Sequence, residues 1–205
     1  MSSTTARARD LEFPNLRPEV VDAYRNASPG VVVEVIDGEL FTMPRPRARH
    51  ARAATRLAGR LAPFDDPGDD DPGGWDLLIE PELHLGPKPD ILDPDLAGWR
   101  AGRLPASVFD DDAPAGITVA PDWVCEVLSP STERVDRGLK MRVFRRERVG
   151  HVWLVAPAYH TLEVYRMEGD RYVLVDTWEG DARVRAEPFE AIELPLAALW
   201  AGAST

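Results

Sequence analysis

The chain has 205 residues, 44% of them hydrophobic and 29% charged, with a formal net charge of −11. That length supports one domain with a sizeable core, and the acidic balance argues against a nonspecific nucleic-acid binder, which is normally basic. No run of about 18 apolar residues is available to span a membrane, and the one cysteine, Cys125, excludes an internal disulfide framework and fits a reducing, cytoplasmic setting.

The opening MSSTTARARDLEFP lacks the apolar stretch of a secretory signal. Residues 1–27 are expected to form an N-terminal arm, partly disordered, ahead of a single domain over 28–202. VVVEVIDGELFTM (31–43) is two apolar runs split by Asp37-Gly38, the preferred dipeptide of a type I′ hairpin turn. Glu39 follows that turn directly; it is either an exposed flanking charge or a secondary site acid. RARHARAATRLAGRLAPF (47–64) reads as a helix, with Ala54, Leu57, Ala58 and Leu61 on one face. Arg49, Arg52, Arg56 and Arg60 line another face, either as a solvated stripe or as a set of phosphate contacts, and Arg45 and Arg47 lie just before it. His50 opens this helix, where it can face the acids. DDPGDDDPGG (65–74) is an acidic loop without the ligand spacing of an EF-hand.

From Trp75 the pattern turns to strands: 75–85, a second within 90–100, and the apolar PDWVCEVL (121–128), which suits a central strand buried on both faces. Residues 106–120 read as a loop. A helix starts between Glu133 and Asp136 and ends near Arg148. Strands follow at 151–157, 161–167 and 171–178, and IELPLAALW (192–200) reads as a short helix.

Two acids in this pattern need an explanation. Glu126 interrupts an apolar strand, and a buried carboxylate is costly unless it is paired, protonated or bound to a cation. Asp95 follows Pro94 where an apolar run resumes. Acids on neighbouring strands can converge on Mg²⁺, which prefers hard oxygen ligands; a structural salt bridge for each is an equal alternative. The four histidines lack short metal-ligand spacing, and no Walker A, G-x-S-x-G or H-E-x-x-H motif is present.

The segments DGELFTMP, EPELHLG, PDLAGWR, EVLSPST and DRGLK, in that order over roughly residues 31–200, resemble the Uma-type restriction endonucleases of the PD-(D/E)XK superfamily. The resemblance implies an α+β, restriction-endonuclease-like mixed β-sheet flanked by helices, with an N-terminal β-hairpin. It also implies an endonuclease that hydrolyses DNA phosphodiester bonds with Mg²⁺ or Mn²⁺ and acts as a homodimer. The alternative is an inactive nuclease-fold module that binds nucleic acid or a protein. By the same resemblance Asp95 and Glu126 are the metal-binding catalytic acids, with Asp90, in the competing KPD (88–90), in reserve for Asp95. The superfamily's lysine belongs two residues after the second acid, but Leu128 stands there. Lys140 is the expected replacement, since it lies three residues before Val143 and four before Phe144, on the helix side that faces the sheet; the alternative is an amphipathic lysine whose stem packs and whose head reaches solvent. Asp136, one turn earlier, either orients the amine or pairs with it.

Overall fold

The computed structural model describes residues 13–28, 30–65 and 69–200. Residues 1–12 of the expected arm, 66–68 of the acidic loop and the expected domain end at 202 lie outside them. The first element is a helix, α1 (Pro18–Arg25), within the stretch expected to be an arm. Phe13, Leu16, Val20 and Val21 are buried against Val35 and Ile91, so a small apolar cluster holds it to the hairpin.

The hairpin is β1 (Val31–Ile36) and β2 (Glu39–Pro44). Asp37 and Gly38 take φ values of 53° and 78°, the double positive φ of a type I′ turn. α2 (Ala48–Asp65) buries Ala53, Leu57, Leu61 and Phe64. The strand expected over 75–85 is two: β3 (Trp75–Ile79) and β4 (Leu83–Leu85), parted at Glu80, whose φ is 48°. The next is also two, β5 (Asp90–Leu92) and β6 (Leu96–Arg100). At each break the chain crosses between sheets. The β2-β1-β5-β4 sheet takes one half of each pair, and the six-stranded β10-β9-β8-β7-β6-β3 sheet takes the other.

In the larger sheet β7 (Trp123–Val127) is central, antiparallel to β6 and parallel to β8 (His151–Ala156). A parallel pair needs a crossover. Here it is a π-helical turn, Val135–Lys140, that runs into α3 (Met141–Arg146). β9 (Thr161–Glu168) and β10 (Arg171–Glu179) complete the sheet. The expected C-terminal helix begins instead as β12 (Leu194–Pro195), paired with β11 (Arg183–Val184), and only Ala197–Trp200 (α4) is helical. Pro195, which fixes φ and lacks an N–H, disfavours a helix through this segment.

Strand alternation divides β7 between two cores. Trp123, Cys125 and Val127 pack under α2 with Trp153 and Phe189, and Val124 packs on the α3 side with Phe144 and Trp99. Glu126 has the parity of Val124 and so projects toward the π-turn. Among the described residues no helix is long and apolar enough to cross a membrane.

Candidate active site

Asp95 lies one residue before β6. The β6–β7 register pairs Leu96 with Cys125, so the next antiparallel step sets Asp95 opposite Glu126. The Val127 N–H donates to Asp95 Oδ2 at 2.7 Å and fixes that carboxylate at the strand end. His50 Nε2 approaches the same oxygen at 3.2 Å. Burial alone would lower the pKa of His50, but the hydrogen bond to Asp95 and the surrounding acids outweigh it and raise the value.

Lys140 points inward and is 2% exposed. Its Nζ lies 2.7 Å from Glu126 Oε1, 2.8 Å from Glu34 Oε1 and 3.7 Å from Asp136 Oδ1. The contact with Glu126 is an ion pair outside directed hydrogen-bond geometry, so Glu126 Oε1 has a close cation and no hydrogen bond. Burial works against a charged amine, but the three carboxylates reverse that effect and raise the Lys140 pKa well above its ordinary value. Burial likewise pushes Glu126 and Asp136 up, with Lys140 opposing in both cases. The π-turn that carries Asp136 and Lys140 is anchored by Arg137, which donates 2.8 and 2.6 Å hydrogen bonds to the Glu163 carboxylate on β9.

These groups line one cavity of about 430 Å³ between the two sheets. Its lining holds seven carboxylates, including Glu80, Glu82 and Asp93 from the two crossings between sheets. Burial, with Glu34 next in effect, raises the Asp93 carboxyl to about 7.

Sequence reasoning overlooked Glu34, which is fully buried. It accepts the Asp93 N–H at 3.0 Å and shares Lys140 with Glu126. The signal that singled out Glu126, an acid inside an apolar strand, is equally present in VVVEVI.

Other candidates lie elsewhere. Glu39 is exposed and pairs with Arg17 at 2.8 Å, outside the cavity lining, because it sits on the solvent side of the turn. Asp90 is buried in the hairpin sheet, where it accepts the Asp37 N–H and pairs with Arg146; it too lies outside the cavity. Arg49, Arg52, Arg56 and Arg60 also lie outside the lining, and Arg56 donates a 2.7 Å hydrogen bond to the Ala198 carbonyl, tying α2 to α4. The arginines that line the cavity are Arg45 and Arg47, both exposed.

Among the described residues no three His, Cys, Asp or Glu side chains are arranged to cage a metal ion. The ammonium of Lys140 is the cation that Glu34, Glu126 and Asp136 share. The donor set still suits a hard divalent cation. Glu34 Oε2 is buried without a hydrogen-bond partner; buried polar atoms are rarely left so, and a carboxylate oxygen is the donor such a cation prefers.

A solved structure shares this fold: a putative nuclease belonging to DUF820 from Anabaena variabilis ATCC 29413, with a TM-score of 0.66 and 20% sequence identity, covering 88% of this chain and 96% of that one. At that identity the likeness establishes the fold, which is restriction-endonuclease-like as expected. No curated protein matches the chain in sequence. The model of the family described as "Uma2: Putative restriction endonuclease" matches residues 18–197. That match spans both sheets and every acid of the cavity, and the chain belongs to the Uma2 family.

Proposed function

We propose that the protein is a divalent-metal-dependent endonuclease that hydrolyses DNA phosphodiester bonds. The observation that carries this reading is the convergence of Asp95, Glu126 and Lys140 at one cavity, with the amine 2.7 Å from the Glu126 carboxylate. Membership of the family described as "Putative restriction endonuclease" supports it. Seven of the chain's carboxylates line the cavity, where a cation would offset them.

Hydrolysis adds water across one P–O bond. The water oxygen bonds to phosphorus, the bond to one sugar oxygen breaks, and that oxygen takes a proton, leaving a phosphate monoester and an alcohol. Asp95 and Glu126, with Glu34 as an added donor, would hold Mg²⁺ or Mn²⁺. Such an ion supplies Lewis-acid activation of water and charge stabilisation at the phosphate. Lys140, kept protonated by its acidic neighbours, donates hydrogen bonds to the attacking water and to the developing phosphate charge. Asp136 steadies the amine from one helical turn away. His50 holds Asp95 in place as a positioning residue. Cutting both strands of a duplex needs two such sites, which is the basis for proposing a homodimer.

Titration calorimetry with Mn²⁺ tests the ligand set. Wild type should bind, and Glu126→Gln should lose at least about tenfold in affinity. Equal affinity in both would remove Glu126 from the site.

A further inference from the structure

We infer that this site takes an unpaired nucleotide, from single-stranded DNA or extruded from a duplex, in preference to a paired duplex segment. The inference rests on the nuclease reading for its chemistry, but on separate observations for its geometry. The groups assigned to catalysis form a floor. Glu34 is 0% exposed, and Glu126 and Lys140 are each 2% exposed. A scissile phosphate must therefore enter the cavity to meet them. The cavity volume, about 430 Å³, lies in the range that encloses one small molecule. That suits a nucleotide taken out of a base stack and is too small for a base-paired segment.

The walls fit the same occupant. Val32, Met43, Pro44 and Pro46 offer apolar surface on the hairpin side for sugar and base faces. Among the described residues no Phe, Tyr or Trp lines the cavity, so base contact there is mainly apolar packing, which suits indifference to base identity. Arg45 and Arg47 are exposed and line the cavity beside these residues, where they can meet the phosphates flanking the inserted nucleotide.

Charge selects in the same direction. Duplex DNA carries one negative charge per roughly 1.7 Å of axis, and its affinity rests on broad basic surfaces. This chain carries 35 acidic and 24 basic residues. A single strand has lower charge density and asks for fewer phosphate contacts.

Fluorescence anisotropy in Ca²⁺, a hard cation in place of Mg²⁺, tests the inference on the wild-type protein. The probes are a labelled oligodeoxynucleotide single strand, its perfect duplex, and the same duplex with one unpaired base. The single strand should bind about tenfold or more tightly than the perfect duplex, in keeping with the worth of one accommodated base. Tight binding of the bulged duplex as well would identify extrusion as a second source, and weak binding of it would restrict the source to free single strands. Equal or tighter binding of the perfect duplex, or binding of none of the three, would overturn the inference. Val32→Leu, which narrows the cavity without adding an aromatic face, should reduce single-strand binding several-fold and leave duplex binding unchanged; an equal loss on both probes would also count against it. Should that variant fail to fold by thermal melting, the wild-type comparison alone decides. Selective single-strand binding without cutting in Mg²⁺ or Mn²⁺ would sink the nuclease reading and leave this inference standing, whereas preferential cutting of perfect duplex would do the reverse.

Discussion

The two faces of β7 have opposite tasks. Under α2, Trp123, Cys125 and Val127 are sealed in an apolar core with Trp153 and Phe189. On the other face Val124 continues an apolar layer, but Glu126 opens into a cavity crowded with carboxylates. One face favours folding by removing apolar surface from water. The other gathers like charges whose mutual repulsion a single buried lysine offsets. A five-residue strand can serve both because its side chains alternate. The dry face gives rigidity, and the wet face uses it to hold carboxylates where they would not settle unaided.

The largest expected effect separates the faces by stability. Trp123→Ala should cost about 3–5 kcal/mol in urea denaturation, as for other buried aromatic truncations. Next is the asymmetry within the acid cluster. Lys140→Met leaves Glu34, Glu126 and Asp136 without their shared cation and should cost about 3–5 kcal/mol near pH 8. That cost should shrink toward pH 5, where the acids can take up protons. Glu126→Gln removes one of several like charges and leaves Lys140 two carboxylates, so its cost should be within about 1 kcal/mol. Equal costs for the two variants would mean that Glu126 and Lys140 act as an isolated pair.

Asp93 sharpens the contrast through pH. Its carboxyl is raised in the folded protein from 3.8 to about 7. Between those values the native state binds the proton more tightly than the unfolded chain, so stability falls as pH rises through that window. Asp93→Asn should remove a loss of up to about 4 kcal/mol between pH 4 and pH 7. Parallel stability–pH curves for wild type and variant would show that Asp93 titrates normally.

What could be read from the sequence follows the same division. The hairpin was legible because Asp37-Gly38 suits a turn that few other dipeptides tolerate. Glu126 stood out as a charge in an apolar strand. Lys140 could be assigned to the inner face because helical offsets tie it to Val143 and Phe144, although the local helix is π-type rather than α. Glu34 carried the same signal as Glu126 but was read only as part of a hairpin, since nothing local tells that β1 has a second sheet beside it. Asp93, Glu80 and Glu82 were illegible for a related reason: their role comes from the crossings between sheets, a tertiary feature. α1 was missed because its few apolar residues find their core in a tertiary cluster with Val35 and Ile91.

Cleavage of circular DNA by Lys140→Met in Mn²⁺, with the DNA supplied both as single strands and as supercoiled plasmid, run beside wild type on protein shown to bind Mn²⁺, tests most directly the claim that these acids and this lysine form one hydrolytic site. Wild type should cut, and the variant should lose about a hundredfold or more in rate while still binding metal. Cutting by Lys140→Met at the wild-type rate, or an inactive wild type that binds Mn²⁺ normally, would contradict it.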